Sequence, residues 1–556
     1  STISVQLKTD PLYKYQWHLD NNGQTNFAST AGTSGEDLNV DSVIAGGTVT
    51  GQGVVVAVVD DGMEILHEDL AANVVSGGSY DFVGADTDPT EIDSDGGHGT
   101  SVAGIIAAKG WNDIGVRGVA PDASLKGFNY LLSQADANLA NSLGGASYSS
   151  DVDIFNLSYG SSNRTFEVQT NAVQATYQGL SSLRSGKGAI GIKSVGNYFD
   201  GPVPTSTHSD YADYRQLCGS GSSYSFFSCH DAIQDNSHAQ PNLIMVGALA
   251  ADGKKASYSS VTSTMWVSGF GGESGVNTAT LSGYSGVVLE PAIMTTDKSG
   301  CARGYVSDDD DKRRYNAFND DTSPHPENAN CNYASTFNGT SSAAPAVAGV
   351  VALMLEKNPA LTLRDVKHIL ATTARQVDDS FSPATLDSIA YHQWETNGAG
   401  LKYHNYYGFG AVDANAAVTA AGTYTAGSLG SQSTSSWITQ SVDANLGEKT
   451  ATYWTLNNAS SGTVEYVWVR LNLNLAGNTE WSTGIRLESP SGTVSTILQP
   501  LTWANDNTTV SENIYLASAA FYGEAMAGDW KIYIYDHASD SDVVYVDDLA
   551  IKFFYR

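Results

Sequence analysis

Residues 53–70 read GVVVAVVDDGMEILHEDL, and the first eight of them decide the fold. Gly53–Asp60 is a short apolar run, rich in valine, with little polar alternation. Such a run predicts a strand buried on both faces. GAIGIKSVGN (Gly188–Asn197) has the same character. Helical patterns accompany these runs. TSVAGIIAA and SSAAPAVAGVVALMLEKNP are packed with small residues, and TLRDVKHILATTA (Thr362–Ala374) has Thr362 as N-cap and Asp365 in its first turn. Alternation of this kind from about residue 40 to about residue 420 predicts a parallel sheet covered by helices on both faces.

Composition then changes. AAGTYTAGSLGSQSTSSW (Ala420–Trp437) is rich in Gly, Ser and Thr and reads as a linker. Beyond it TVEYVWVRLNLNL, TGIRLESPSGTVSTIL, GDWKIYIYD and DDLAIKFFYR alternate in short strands. They predict an all-β sandwich, with Trp481 and Trp503 expected in its core. The expected division is an α/β domain over 1–421, a linker over 422–437 and a β-sandwich over 438–556.

The chain has 556 residues, with 28 basic and 59 acidic side chains and a net charge of -31. That charge argues against nucleic acid and anionic membranes as partners, since phosphate binding needs a basic face. No segment offers ~20 consecutive apolar residues, so no membrane span is expected. STISVQLKTDPLYKYQW has no basic region followed by an apolar run, so a signal peptide is expected to be absent or removed. Four cysteines occur, none in a CxxC pair. Three connectivities are open; the local one, Cys218–Cys229 and Cys301–Cys331, is preferred and implies an oxidising compartment.

Three segments carry chemistry. The strand over Gly53–Asp60 ends in Asp60-Asp61-Gly62, placing a carboxylate at the sheet edge where ligands bind. SDGGHGTSVAGIIAA puts His98 at the start of a helix, and FNGTSSAAPAVAGVV puts Ser341 at the start of another, with Pro345 early in it. Each alone reads as ordinary structure: a turn, a structural histidine, an N-cap serine. Together, the order Asp, His, Ser is that of one hydrolytic triad. His98 accepts the serine proton and returns it to the leaving amine, and Asp60 holds the imidazole tautomer. A helix N-terminus helps Ser341 stabilise an oxyanion, and SVGNYFDG supplies Asn197 as a side-chain donor.

These residues resemble the subtilase family, and the whole chain resembles its kexin/furin-like branch. TDPLYKYQWHL, VVDDGMEILHEDL, GHGTSVAG, GVRGVAPDASLKG, FNLSYG, GTSSAAPAVAGVVALMLEKNP and YYGFGAVDANAAV follow in the family's order. RLESPSGT and GDWKIYIYD resemble its P-domain. The resemblance extends to secreted bacterial members of the Aeromonas type. It implies a subtilisin-like α/β catalytic domain followed by a jelly-roll or sandwich P-domain, and a secreted, extracellular serine endopeptidase. Asp60, His98 and Ser341 match the triad, and Asn197 the oxyanion residue.

It also implies Ca²⁺, held by the side chains of Asp10, Asp69 and Asn112 and by the carbonyls of Ile114 and Val116. The loop KGWNDIGVRG is one residue longer than the family's on this resemblance, so Lys109 and Gly110 both stand as the source of a further carbonyl. Oxygen ligands from separate segments suit this cation. Cleavage after basic, notably paired basic, residues is implied as well. Asp61 and Asp95 match acids of the S2 pocket, and Asp235, with Asp231 as a rival, an acid of S1. Ser158 and Gly160 complete the substrate-binding set. Departures are visible: Asn163 stands where a second S1 acid would be, Ala140 where furin-type enzymes place an S4 acid, and Ser260 where they place a second calcium's glutamate.

Substrates are expected to be peptides with basic residues, and the enzyme a monomer. With no propeptide visible, either one was cleaved off or a separate chaperone assists folding. A catalytically dead binding or toxin-like protein is the competing reading; retention of Asp60, His98, Ser341 and Asn197 weighs against it. Finally, SDDDDKRRYNAF (Ser307–Phe318) is an insertion between Cys301 and Cys331. It reads as a self-neutralising exposed loop, as a cation site or, through Lys312, Arg313 and Arg314, as a mimic of a basic substrate at the cleft rim.

Overall fold

The computed structural model describes residues 9–92, 96–161, 166, 170–200, 218–219, 225–277, 288–307, 316–475, 482–502, 510–537 and 543–556. Asp95, Asn163, Lys312, Arg313, Arg314, Trp481 and Trp503 lie outside the described residues.

Six parallel strands form the central sheet in the order β2-β1-β3-β4-β5-β6. They are β1 (Val55–Val59), β2 (Ser124–Phe128), β3 (Ile154–Leu157), β4 (Ile190–Ser194), β5 (Leu243–Leu249) and β6 (Met265–Phe270). The period of two divides each strand between two cores. Val56, Val58, Ile154, Ile190, Ile192, Ile244 and Val246 enter one core, which also holds the helix Thr340–Lys357. Ala57, Val59, Phe155, Leu157, Leu243 and Met245 enter the other, with Tyr177 of the helix Asn171–Gly179. Burial on both faces explains why β1 shows no polar alternation.

The helix Leu363–Thr373 starts at a reciprocal cap. The Asp365 N–H donates to Thr362 Oγ1 at 3.1 Å and the Thr362 N–H donates to Asp365 Oδ2 at 2.8 Å. Two further strands, β7 (Ile293–Thr296) and β8 (Tyr333–Phe337), pair antiparallel. Strand β7 braces the helix His98–Ala107 by hydrogen bonds from Thr295 Oγ1 to the Ser101 carbonyl, from Thr296 Oγ1 to the Thr100 carbonyl, and from Ser101 Oγ to the Thr296 carbonyl. A Cβ on Gly104 would stand 2.2 Å from Thr296 Oγ1, so only glycine admits this approach. Both disulfides form as preferred: Cys218–Cys229, with Cα atoms 5.2 Å apart, and Cys301–Cys331, at 4.8 Å.

The C-terminal part is mostly antiparallel and all-β, built of a five-stranded and a four-stranded sheet. Strand Gly528–Asp536 shows its logic: Trp530, Ile532 and Ile534 are buried, and Asp529, Lys531 and Tyr533 are not. This region packs on the α/β part through specific polar contacts. The Ala519 N–H donates to the Ser263 carbonyl, Ser263 Oγ to the Ala517 carbonyl, and Trp468 Nε1 to the Ala239 carbonyl. Among the described residues no helix is long and apolar enough to cross a membrane.

Candidate active site

The parallel sheet brings its polar residues to one edge. Asp60 follows β1, Ser158 follows β3, and Asn197 lies just past β4. The helices that begin at His98 and Thr340 reach the same edge.

Asp60 is fully buried. Its Oδ1 accepts from His98 Nδ1 at 2.8 Å and from the Asp61 N–H at 2.8 Å, while its Oδ2 has no partner among the described residues. The His98 side chain keeps 26% of its surface, so the far edge of the ring is reachable. Phe337 packs edge-on against it at 5.4 Å between centroids. Burial pushes the His98 imidazole down, but the Asp60, Asp61 and Glu91 carboxylates outweigh this, and it is pushed up to about 9.

Ser341 Oγ donates to the Ser158 carbonyl at 3.2 Å, and Ser158 Oγ donates to the Ser341 carbonyl at 3.0 Å. Among the described residues no hydrogen bond joins Ser341 to His98, so the hydroxyl must turn before it can pass its proton. The Asn197 amide is oriented by Thr340: Oδ1 accepts from the Thr340 N–H and from Thr340 Oγ1, both at 2.8 Å. Its Nδ2 stays uncommitted among the described residues, available to an oxyanion. Gly339 precedes the helix at φ +101°, and a Cβ there would stand 3.0 Å from Asn197 Nδ2.

Asp61 is placed differently from a simple pocket acid. Its Oδ2 accepts from the His98 N–H at 3.0 Å and its Oδ1 from the Gly99 N–H at 2.8 Å, so it caps the histidine helix. Burial and the Asp60 charge hold its carboxyl above the usual range. The pair Glu91 and Lys298, 3.0 Å apart, lies beside it, with Glu91 Oε2 also accepting from the Gly97 N–H. Neither residue was singled out from sequence.

Asp235 and its rival Asp231 separate clearly. Asp231 accepts from the Ile233 N–H and from the Gln499 N–H of the C-terminal region. Burial pushes its carboxyl up to about 7. Asp235 Oδ2 instead accepts from the Ser161 N–H at 3.3 Å, beside exposed Gly160, and Oδ1 accepts from Ser237 Oγ and N–H. Burial alone would raise it, but His238, Lys193 and the Ser237 bonds hold it well below the usual range.

The oxygen-rich cluster is gathered only in part as the sequence suggests. Asp10, Asp69 and Asn112 meet, but amide donors fill their oxygens. Asp69 accepts from Asn112 Nδ2 at 2.7 Å and from the Val116 N–H at 2.9 Å, and Asn112 Oδ1 accepts from the Ile114 N–H at 3.0 Å. Asp10 accepts from the Trp111 and Asn112 N–H groups and pairs with Arg117 Nε at 2.6 Å. The Lys109 N–H donates to the Asp69 carbonyl. Among the described residues no group of three or more His, Cys, Asp or Glu side chains stands ready for a metal. The donor chemistry still fits a hard cation at Asp69: it is fully buried, and burial pushes its carboxyl up to about 7. Asp10 fits less well, because Arg117 already balances its charge.

A carboxylate, an imidazole and a hydroxyl gathered at the carboxyl edge of a parallel sheet define a serine hydrolase. The chain belongs to the Subtilase family, which it matches over residues 51–410, and it matches the Proprotein convertase P-domain over residues 466–553. It is a subtilisin-like serine endopeptidase. It is 34% identical, over 95% of its length and 85% of the relative's, to the Aeromonas extracellular serine protease of Aeromonas sobria. A crystal structure of the Aeromonas sobria serine protease in complex with a chaperone is similar with a TM-score of 0.85 at 30% identity, covering 99% of this chain and 95% of that one. Furin-like protease 2 of Drosophila melanogaster is 29% identical over 94% of this chain and 27% of that protein.

Proposed function

We propose that the chain is a secreted, calcium-dependent endopeptidase that cleaves after basic residues, by way of an acyl-enzyme. The observation that carries the mechanism is the 2.8 Å bond from His98 Nδ1 to a buried Asp60, with the other ring edge still exposed. Ser341 gives its proton to His98 Nε2 as it attacks the scissile carbonyl. Asn197 Nδ2 and the N-terminus of the serine helix stabilise the oxyanion. His98 then protonates the leaving amine, and a water molecule attacks the acyl-enzyme by the same route in reverse. Asp60 keeps Nδ1 protonated and balances the imidazolium.

Asp235 is the S1 acid on this reading, since it faces Gly160 and Ser161, whereas Asp231 faces the C-terminal region. Asp61 serves S2 with whatever acceptor capacity its helix-capping role leaves. Asp69, Asn112, the Ile114 and Val116 carbonyls and that of Lys109 or Gly110 would hold Ca²⁺, with Asp10 joining them only on release from Arg117. There a bound cation would join the segments around Asp10, Asp69 and Asn112 and would take no part in the reaction. The domains run 1–421 and 438–556 about a linker. A separate folding partner is proposed from the chaperone complex of the Aeromonas sobria relative. The relative named as extracellular supports secretion.

Profiling a peptide library with the enzyme and with Asp235→Asn tests the specificity. Basic residues at P1 are expected for the enzyme and a loss of that preference for the variant. An unchanged preference in Asp235→Asn removes Asp235 from S1. A serine-directed phosphonate should label Ser341; a folded enzyme that stays unlabelled refutes the mechanism.

A further inference from the structure

Behind Asp235 lies a histidine that the reaction does not use. His238 is 1% exposed. Its Nδ1 is 2.6 Å from the Ala232 carbonyl and so carries the proton. Its Nε2 is then a lone-pair acceptor, and it has no hydrogen-bond partner among the described residues. It lies 3.8 Å from Asp235 Oδ2. A Cβ built on Gly160 would stand 3.7 Å from each of these two atoms, so both sit directly beneath an exposed residue that has no side chain to cover them. The Ser158 carbonyl contacts Ser341, and two residues of chain span at most about 7 Å, which matches the reach of a long P1 side chain.

Two acceptors with no donor between them make an unbalanced pair. The neutral imidazole offers Asp235 nothing, so Oδ2, which accepts only the long bond from the Ser161 N–H among the described residues, can still take a donor from an incoming cation. One added proton reverses this: Nε2 becomes a charged donor aimed at Asp235 Oδ2. We infer that His238 is a specificity-determining residue acting through Asp235: neutral, it leaves the carboxylate to a basic P1 side chain, and protonated, it pairs with the carboxylate and cancels that preference. The inference rests on the proposed cleavage after basic residues.

The groups around His238 agree with this. Lys193 of β4 adds a buried cation near Asp235 and also donates to the Tyr159 carbonyl. With Lys193 and Asp235 balanced, an imidazolium turns the pocket net positive. Tyr159 and Tyr177 act on Asp235 only as neutral phenols, each held well above its usual titration range. From the C-terminal region Tyr466 OH donates to the His238 carbonyl at 3.4 Å, holding the backbone of this loop. Burial pushes the imidazole down to about 4, with Asp235 opposing and Lys193 assisting. The switch therefore operates in acid, and the basic preference is full at neutral pH.

The test measures binding instead of turnover, because His98 titrates in any rate. In a Ser341→Ala background, two peptides that differ only in arginine or norleucine at P1 are titrated by fluorescence anisotropy from pH 7.5 to pH 3. The arginine preference is expected to fall at least ten-fold over that range, and by less than two-fold with His238→Gln. His238→Asn serves as a second replacement, and circular dichroism checks both folds. A preference that persists to pH 3, or a decline that survives both replacements, overturns the role of His238. If the variants misfold, the curve of the parent protein decides alone. Absence of any arginine preference at pH 7.5 overturns the basic-residue reading itself, and this inference with it.

Discussion

His98 Nδ1 lies 2.8 Å from Asp60 Oδ1, and Asp60 Oδ2 has no partner among the described residues. The carboxylate therefore faces one imidazole nitrogen, and among the described residues that imidazole is its one ion-pair partner. Asp60→Asn should preserve the fold and reverse the ring's tautomer. The expected loss in kcat is about 10⁴-fold, with KM nearly unchanged. A loss below ten-fold in steady-state kinetics contradicts the assignment.

His98 must be neutral to take the serine proton, and its acidic surroundings favour the charged form. The rise of kcat/KM with pH should therefore have a midpoint above the ordinary imidazole value of about 6.5. Asp61→Asn removes one of the charges responsible and should move the midpoint down. The stability linkage has the matching sign. With its pKa raised, His98 contributes stability that is full below about 6.5 and is lost as pH rises through about 9. A pH–rate profile that does not shift in Asp61→Asn counts against this electrostatic account.

Asn197→Ala should lower kcat by about 10²–10³-fold and leave KM almost unchanged, because its Nδ2 is offered only to a developing oxyanion. Thr340→Val removes one of the two bonds that orient the amide, and a smaller loss of the same kind is expected. If Asn197→Ala changes KM alone, the residue binds substrate rather than the transition state.

Calcium should raise the melting temperature, and a chelator should lower it. In Asp69→Asn the melting temperature should no longer respond to calcium. Arg117→Ala frees Asp10 and should strengthen the response. A wild-type melting curve indifferent to calcium and to chelator removes the cation from the account.

Ending the chain after Ala421 removes the partners of Ser263 and Ala239 and exposes the apolar face against which Tyr522 packs on Trp266 at 5.3 Å. Soluble active protein is expected to be lost. Trp468→Phe is the milder test: it deletes only the bond to the Ala239 carbonyl, next to the loop that carries Asp235, and should change P1 selectivity more than kcat. Full activity from the truncated chain would refute this dependence.

Much of the fold is legible locally because its signals are local. Gly53–Asp60 announces β1 by lacking alternation, since Val56 and Val58 enter one core and Ala57 and Val59 the other. Thr362 and Asp365 announce a helix start because the cap is closed within four residues. Alternation in Gly528–Asp536 announces a one-sided strand for the same reason. Short spacing made the local cysteine pairing the preferred one of three, and it is the one formed. Contacts between distant segments have no such signal. Arg117 on Asp10, Lys298 on Glu91 and Gln499 on Asp231 each join residues about a hundred or more positions apart.

The sequence by itself determined the strand and helix segments, the all-β C-terminal part and the residue types able to do acyl transfer, because periodicity, capping and motif order are properties of neighbouring residues. Only the tertiary structure decided what each carboxylate does. Asp60 turns to an imidazole, Asp61 to a helix N-terminus, Asp231 to the C-terminal region, and Asp235 to Gly160 beside His238. All four are aspartates in loops; the family resemblance ranks them, but no local signal shows which donors each one meets. The physical reason is that a carboxylate's role is set by the donors and cations that burial brings within about 4 Å of it, and the packing of remote segments alone selects those.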